Sequence, residues 1–332
     1  MELSETIKKQ TDRAGKTYAF TEKVNPRLPA QHWFQQTPEG LTLFIVFYTQ
    51  ACRWSQCLGC NLPSKMSQSH VPFQDIMSQV DFIFEYMMTE EEKQQVHKII
   101  ISNNGSILDE DTFSTTALVY FIAKMNMECP GVTTLTIETR AEYADIEELE
   151  ILARVLKEGR ISTQLELAIG FEAFDDHIRN NVFLKGLTLK AFEQFAEQIA
   201  KHDFKLKTYF MVKPIPGMSE LEAIEDITSA IDYLDQLSKE LGLEINLHLN
   251  PTYVAFGTPL ETAFNGGTYE PPLLESLRQI ILKAKGKNIS VFAGLNDEGL
   301  AVPGGSIHRE NNQELVDLME QFNSTQDFDL LN

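Results

Sequence analysis

The chain has 332 residues, of which 43% are hydrophobic and 23% charged, so it is long enough for one large α/β domain or two smaller ones. Its 28 basic and 48 acidic side chains give a net charge of −20. This balance argues against autonomous nucleic-acid binding, which depends largely on lysine and arginine contacts to phosphates. No apolar stretch reaches membrane-spanning length, and the N-terminus lacks the charged-then-apolar order of a signal peptide. The sequence therefore predicts a cytoplasmic protein with no membrane segment.

Residues 1–40 are polar and carry isolated aromatic residues and prolines. This composition predicts an irregular N-terminal extension that packs on the core, because the aromatic side chains need a place to be buried. From residue 41 onward, short β-branched or aromatic runs alternate with longer runs of helical period. The predicted strands are 41–48, 96–102, 133–138, 164–171, 206–213, 244–250 and 289–293. The predicted helices are 72–88, 111–127, 145–157, 189–201, 220–241 and 272–285.

Six successive strand–helix units predict a parallel α/β sheet with right-handed crossovers, either an open doubly wound sheet or a full or partial barrel. The strands end at the same edge in polar residues and glycine, as at the catalytic rim of a barrel. We therefore favour an incomplete (β/α)6 barrel, similar to a TIM barrel, over residues 41–295. Residues 296–332 are then a C-terminal extension, with a helix from about residue 311 and a frayed end.

Three of the four cysteines, Cys52, Cys57 and Cys60, follow the first predicted strand directly. Thiolates this close can converge on one metal centre at the sheet edge, and with no fourth ligand nearby one iron of a cubane cluster would be free. Together with His70 the same cysteines could instead form a structural zinc site. Their C-x4-C-x2-C spacing is also that of plant-type ferredoxins, which need a fourth cysteine. Since the remaining one, Cys129, lies far downstream, the local motif leaves these interpretations, and that of unrelated thiols, open.

Taken together with the cysteine loop, the strand ends resemble the radical S-adenosylmethionine (SAM) superfamily. The resemblance is closest to the branch containing the elongator catalytic subunit and the archaeosine synthase radical subunit. It covers roughly residues 41–295, and the ordered set of motifs is more specific than any one of them. The matching segments are Asn-Asn-Gly-Ser-Ile-Leu-Asp at 103–109, Ile-Glu-Thr-Arg at 137–140, Ala-Ile-Gly-Phe-Glu at 168–172, Lys-Gly at 185–186, Tyr-Phe-Met-Val-Lys-Pro at 209–214, Asn-Pro-Thr at 250–252 and Tyr-Glu-Pro-Pro at 269–272.

This resemblance implies a partial barrel of the radical SAM type, with a [4Fe–4S] cluster held by Cys52, Cys57 and Cys60 and with SAM chelating the fourth iron. Reductive cleavage of SAM would give a 5′-deoxyadenosyl radical that abstracts hydrogen from a substrate, either a modified nucleobase or a small molecule. The barrel would position the cofactor and exclude water. A one-electron reductant of the flavodoxin or ferredoxin type is implied. The substrate would enter as a small molecule or be delivered by a partner.

The resemblance also implies which residues contact SAM, by matching the family's strand-end positions. Glu138 and Arg140 match the position that holds the ribose hydroxyls and the methionine carboxylate. The expected SAM-binding set is Ser102, Asn103, Asn104, Gly105, Glu138, Arg140, Gly170, Glu172 and Asn250. The expected substrate-facing residues are Glu172, Lys213 and His308. Each residue also has a plainer interpretation, as a turn former, a surface ion pair, a solvated lysine or a surface histidine.

Two features depart from the family pattern. The usual motif is C-x3-C-x2-C with an aromatic residue before the last cysteine that packs on adenine, whereas here the spacing is longer and that position is Gly59. We therefore expect the adenine contact to come from elsewhere, such as the backbone at Leu58 and Gly59 or a side chain of a later strand. A further cysteine near the C-terminus is absent, and Cys129 alone cannot build a second cluster. Two other functions stay open, a zinc-stabilised α/β binding protein and an electron-transfer protein.

Overall fold

One eight-stranded sheet forms the centre of the computed structural model, which describes residues 3–21 and 25–332. The strands lie side by side in chain order. The first pair is antiparallel, and every later pair is parallel. The sheet curls into a half-barrel whose two edge strands are the first and the last. The strands are β1 (Gln31–Thr37), β2 (Gly40–Val46), β3 (Val96–Ser102), β4 (Thr134–Thr139), β5 (Gln164–Glu172), β6 (Lys205–Val212), β7 (Ile245–Pro251) and β8 (Ser290–Ala293).

Amphipathic helices connect the parallel strands and bury their apolar side on the sheet, as crossover connections require. The sixth helix illustrates this, because its buried residues Phe192, Phe195, Ala196 and Ile199 recur at helical spacing. Within the described ranges, no helix is both long and apolar enough to cross a bilayer. The helices are α1 (Leu3–Arg13), α2 (Phe73–Phe82), α3 (Glu90–Gln95), α4 (Thr115–Glu128), α5 (Ile146–Leu156), α6 (Leu189–Lys201), α7 (Glu220–Leu241), α8 (Pro259–Asn265), α9 (Leu274–Lys283) and α10 (Gln313–Thr325).

The incomplete barrel predicted from the sequence is confirmed, and all seven predicted strands form with ends within two residues of the expected positions. The prediction of an irregular N-terminal extension is wrong for the described part, because α1 and β1 both form there. The sequence pattern does not predict β1, because this edge strand is largely polar and lacks clear alternation of apolar and polar residues. Its Trp33 stacks on Phe44 of β2, with ring centroids 4.2 Å apart. Residues 1, 2 and 22–24 of the predicted extension lie outside the described residues.

The C-terminal helix closes the open edge of the sheet at β8. The Asn323 carboxamide accepts from the Ala293 N–H at 2.7 Å and donates to the Ala293 carbonyl at 2.8 Å. Gln326 makes the same pair of bonds to Val291, at 2.9 and 2.7 Å. Two side-chain amides thus satisfy the backbone groups that a ninth strand would pair, which protects an exposed edge. The predicted frayed end is also wrong, since the last turn packs on the body and Leu331 is 1% exposed.

Replacing Asn323 with alanine should lower the free energy of unfolding by about 2–4 kcal/mol, because the buried N–H and C=O of Ala293 lose their partner. Urea denaturation followed by circular dichroism measures this change. The matched control is Gln321→Ala on the exposed side of α10, which should stay within about 0.5 kcal/mol of the parent chain. Equal stability of the two variants would contradict the edge-capping role of Asn323.

The concave face of the sheet is polar, and a buried ion network fills its lower end. Lys98 on β3 donates to Glu166 on β5 at 2.8 Å and to Glu39, which precedes β2, at 2.9 Å. Thr136 on β4 also donates to Glu166, at 2.6 Å. Lys98 and Glu166 are only 3% exposed, so the network is shielded from water. It plugs the amino-terminal end of the half-barrel and leaves the carboxyl-terminal end open for a site.

Candidate functional site

The cysteine loop follows β2 at the carboxyl-terminal edge of the sheet, as the sequence predicts. Cys52, Cys57 and Cys60 are all partly buried in it. Ser55, in a left-handed conformation with φ 47°, donates its hydroxyl to the Cys52 carbonyl and folds the loop back. Lys16, just after α1, donates from Nζ to the Ser55 carbonyl at 2.8 Å and is 5% exposed. The N-terminal segment therefore holds the cysteine loop in place.

Cationic side chains surround the thiols. Burial raises the pKa of Cys57, while Lys185, Arg140 and Lys16 act in the opposite direction. Burial also raises the pKa of Cys60 to about 12, against the influence of Lys16. Buried thiols of this kind stay protonated on their own, whereas a bound metal centre removes the proton from its cysteine ligands. The loop thus combines three sulfur donors with positive charges that suit a negatively charged metal–thiolate group.

The three cysteines can be compared with the donor sets that a cluster and a single metal ion require. In the described part of the chain, no three His, Cys, Asp or Glu side chains are close enough to hold one metal ion together. His70, the fourth ligand considered for zinc, is exposed. A cubane binds each cysteine through a different iron, so its ligands stand farther apart than those of a lone tetrahedral ion. Three thiols in one loop are the donor set that a cubane cluster with one free iron requires.

Close backbone approach explains the glycine after β3. A Cβ built on Gly105 would lie 3.1 Å from the Cα of Cys52, so a larger residue would press on the cysteine loop. Asn103, 1% exposed, donates from Nδ2 to the Ser106 carbonyl at 3.2 Å, and its Oδ1 has no hydrogen-bond partner. Asn104 has φ 55°, and Ser102 accepts a bond from the Asn104 N–H at 3.1 Å. The predicted segment therefore lies directly beside the cysteine loop.

Gly59 replaces the family's aromatic residue for a steric reason. A Cβ built there would lie 2.7 Å from Cδ1 of Leu260 on α8, so a larger residue would require the Leu260 side chain to move. The neighbouring Leu58 N–H donates to the Phe183 carbonyl at 2.9 Å, which fixes this part of the loop. The close packing of α8 on the cysteine loop thus favours glycine at position 59.

A carboxylate, a phenol and an imidazole meet on the concave face above the ion network. Tyr209 on β6 donates its hydroxyl to Glu138 on β4. The Tyr209 ring lies 4.8 Å from the His248 ring on β7, measured between centroids. Burial raises the pKa of Glu138. Burial, with help from Lys207, lowers the pKa of His248 well below its usual value, so this imidazole is neutral.

Arg140 and Trp54 join β4 to the cysteine loop. The Arg140 guanidinium lies 4.6 Å from the Trp54 ring centroid and donates to the Lys185 carbonyl at 3.0 Å. Trp54 in turn donates from Nε1 to the Leu184 carbonyl at 2.8 Å. Arg140 also pairs with Glu142. Arg140 is 6% exposed, so it is a buried cation beside the thiols rather than a surface ion pair.

A bulge at the end of β5 brings a second ion pair to the thiols. The pairing register shifts between Gly170 and Glu172, and Glu172 has φ 77°, a strained conformation for a residue with a side chain. Glu172 accepts from Lys185 Nζ at 2.7 Å. A Cβ on Gly170 would lie 2.2 Å from a Glu172 oxygen and 2.4 Å from that Nζ. Only glycine at position 170 leaves room for this pair, which lies next to Cys57.

The remaining predicted site residues are Asn250, Lys213 and His308, for which the described part of the chain gives no hydrogen bond or ion pair with the cysteine loop. Asn250, at the end of β7, approaches Gly294, where a Cβ would be 2.5 Å from Asn250 Oδ1. Lys213 has φ 60° and donates to Glu220 of α7 at 2.7 Å, so contact with a substrate requires that bond to be exchanged. His308 is exposed, on a short 3-10 turn before α10. The structure thus groups the SAM-binding candidates at one sheet edge and gives Lys213 and His308 other surroundings.

Several residues near the site were not expected from the sequence. Lys16 and Tyr18 come from the N-terminal segment, and Tyr18 faces all three thiols. Tyr253 follows β7, and burial raises its pKa, with the nearby charges of Glu298 and Cys60 adding to the rise. Burial, with Glu138 nearby, raises the pKa of Glu298 to about 7. His248 could have been predicted from the sequence, because it lies two residues before Asn250 and so shares the same face of the strand.

Comparison with known proteins agrees with this geometry. The chain is 32% identical over 251 residues to archaeosine synthase subunit beta of Methanosarcina acetivorans, covering 74% of this chain and 67% of the relative. It is 28% identical over 258 residues to the protein of the same name from Thermococcus kodakarensis, covering 75% and 73%. Among solved structures, archaeal Elp3 of Methanocaldococcus infernus superposes with a TM-score of 0.51 at 17% identity, over 75% of this chain and 59% of that one. No family model matches the chain.

First, the half-barrel is shared with the superposed structure at the level of fold. The relatives then specify the branch. The chain belongs to the radical SAM superfamily, in the branch of the archaeosine synthase beta subunits.

Proposed function

We propose that this chain is a radical SAM enzyme in which Cys52, Cys57 and Cys60 bind three irons of a [4Fe–4S] cluster and SAM binds the fourth. The observation that carries the proposal is the single loop of three thiols at the open end of the half-barrel, surrounded by buried cations. When bound and reduced, the cluster and SAM would supply a 5′-deoxyadenosyl radical that abstracts hydrogen from the substrate. The residues of the chain itself would hold, orient and enclose these groups.

Each predicted SAM contact has a role suited to its chemistry. The turn of Ser102, Asn103, Asn104 and Gly105 would offer backbone carbonyls to the methionine amino group, and the unpartnered Asn103 Oδ1 supports a polar ligand there. The Arg140 guanidinium would attract the methionine carboxylate. Hydrogen bonding to the ribose hydroxyls suits Glu138, since its bonds with Tyr209 and Ser102 hold the carboxyl group in place on the concave face.

The later strands would complete the adenosyl pocket. Gly170 would let the adenosyl moiety approach β5, and Asn250 would lie on the adenine side. Tyr253 would provide the aromatic contact that Gly59 cannot, because it lies near Cys60 in the loop after β7. Among the substrate-facing candidates, Glu172 is the best supported, since its ion pair with Lys185 adjoins the thiols. Lys213 and His308 would act only after a rearrangement or on a large substrate.

The substrate is proposed as a modified nucleobase or a small molecule, which reaches the open end freely or through a partner protein. The name of the relatives, subunit beta, supports a second subunit. A flavodoxin- or ferredoxin-type protein would supply the electron. The net charge of −20 supports delivery of any RNA substrate by a separate basic protein rather than by this chain.

We expect no tight binding of tRNA to the isolated protein, because its excess negative charge repels polyphosphate and is screened only beyond about 8 Å at physiological salt. A gel-shift titration across a salt series measures this. Submicromolar binding near roughly 150 mM salt, with a steep salt dependence, would instead restore a direct role in RNA binding.

The decisive experiment is anaerobic purification, with iron and sulfide analysis and a SAM-cleavage assay under dithionite. Brown protein with four irons that forms 5′-deoxyadenosine supports the proposal. A cluster that leaves SAM intact would identify an electron-transfer protein. Colourless protein with stoichiometric zinc would identify a zinc-stabilised binding protein and overturn the proposal.

A further inference from the structure

A second concave surface lies beside the open end of the half-barrel, apart from the cysteine loop. It is a groove of about 680 Å³. One wall is the segment 174–178, which follows β5, and another is the segment 215–218, which follows β6. The third wall is the first half of α7, from Glu222 to Ser229. Because both loops follow the carboxyl ends of parallel strands, the groove opens at the same edge of the sheet as the cysteine loop.

The lining combines an apolar floor with negative walls. Phe174, Ile178, Ile215, Pro216 and Met218 provide apolar surface. The acidic lining residues are Asp175, Asp176, Glu222, Glu225 and Asp226. Among the described residues the lining includes no lysine, arginine or histidine, although the exposed His177 lies within the loop that forms one wall. A surface of this kind complements a ligand that is apolar on one side and cationic at its margins.

The hydrogen-bond and ion partners of the acidic lining residues indicate how much negative charge remains in the groove. Asp226 accepts the backbone N–H groups of Phe174 and Asp175, at 3.0 and 2.7 Å, which leaves its formal charge in place. Burial raises the pKa of Asp226, and neighbouring Asp175 adds to the rise. Among the described residues, Asp176 is the one acidic lining residue that forms an ion pair, with Arg179 at 2.6 Å, and the Arg179 charge also opposes the rise in the Asp226 pKa. The groove therefore concentrates like charges that an incoming cation would relieve.

The surrounding structure favours a helix over an extended peptide as the occupant. Both β5 and β6 have paired neighbours on each side, so neither offers a free backbone edge for an added strand. On α7, Leu221, Glu225 and Ser229 follow at intervals of four and share one helix face. Leu221 is 71% exposed, which extends the apolar surface beyond the groove.

We propose that this groove docks a cationic amphipathic helix of a second protein. Apolar side chains of that helix would enter between the two loops, and its lysine or arginine side chains would face Asp175 and Glu225. Docking there would place the second protein beside the open end of the half-barrel. The interface does not require the cluster or SAM, so it stands or falls separately from the proposed enzymatic function.

The test uses the full chain and a fluorescein-labelled helical peptide of leucine and lysine, with leucine on one face, followed by fluorescence anisotropy. We expect saturable binding that weakens as salt rises, and Glu225→Lys should weaken it roughly tenfold. The matched control is Glu197→Lys on the exposed side of α6, which changes the net charge equally and should bind as the parent chain does. Thermal melts of both variants check that they are folded.

Control peptides and competition with tRNA distinguish a cationic amphipathic helix from other occupants of the groove. A peptide with glutamine in place of lysine, or with serine in place of leucine, should bind at least roughly tenfold more weakly, and tRNA should not displace the parent peptide. The proposal is overturned if the parent chain shows no saturable binding, or if both charge reversals weaken it equally. Tight binding of the serine peptide, or displacement by tRNA, would also overturn it.

Discussion

Replacing Cys52, Cys57 or Cys60 with alanine is expected to abolish the intact four-iron cluster and, with it, all SAM cleavage. Each thiolate would bind a different iron, so the loss of one leaves an iron without a protein ligand in a partly buried loop. Iron and sulfide analysis of the three anaerobically purified variants measures the effect. SAM-dependent formation of 5′-deoxyadenosine gives an independent readout, expected at background in all three.

The matched control is Cys129→Ala. Cys129 is buried at the carboxyl end of α4, a helix that leads to the amino end of β4 and therefore to the opposite edge of the sheet. Burial raises its pKa to about 12, as for an inert thiol. Iron content should be unchanged in this variant. A full cluster in any of the first three variants would refute the ligand assignment.

The second large effect concerns stability rather than chemistry. Lys98→Met should lower the free energy of unfolding by about 3–5 kcal/mol, because the buried Glu166 would lose the lysine that pairs with it directly and keep only the nearby charge of Lys207. The matched control is Lys285→Met, which removes an exposed ion pair with Asp329 and should change the free energy of unfolding far less. Adding Glu166→Gln to Lys98→Met should recover part of the loss. Urea denaturation of all variants measures the differences, and similar losses for Lys98→Met and Lys285→Met would contradict the network's role.

The same network predicts how stability depends on pH. Burial alone would raise the pKa of Glu39, but the Lys98 ammonium overrides it and lowers that pKa to about 2 from the ordinary 4.5. A depressed carboxyl pKa stabilises the folded chain above the unfolded value, and that stabilisation is lost as pH falls from 4.5 towards 2. Lys98→Met should therefore flatten the acid limb of a stability–pH curve. An unchanged slope would show that other carboxyl groups dominate acid unfolding.

The sequence by itself determined the repeating architecture and the sulfur donors. Strand and helix periods are local properties, so the seven strands from β2 onward could be located from alternating and continuous apolar runs. Cys52, Cys57 and Cys60 lie within one short loop, so their proximity follows from chain connectivity. Gly105 and Gly170 could also be identified from the sequence, whereas the close contacts of these glycines are seen only in the structure.

Only the tertiary structure decided which distant segments complete the site. Lys16 reaches the cysteine loop from the N-terminal segment, and Leu260 of α8 packs so closely on Gly59 that a Cβ there would lie 2.7 Å from Leu260 Cδ1. Tyr209 and His248 meet because β6 and β7 are neighbours, and Glu138 on β4 meets Tyr209 across the intervening β5 in the curled sheet. Such contacts join residues far apart in the chain, and nothing in the local pattern around either partner encodes them.

At the two edges of the sheet, too, the sequence pattern does not predict what the structure shows. β1 pairs through its backbone, and its polar side chains carry no alternating signal. At β8, Asn323 and Gln326 replace a strand with side-chain amides, which periodicity cannot reveal. Local hydrophobic patterns thus determine which segments become strands and helices. Side-chain partners, edge capping and the charges that face the thiols depend on long-range packing, whose free energy is set only when the whole chain is folded.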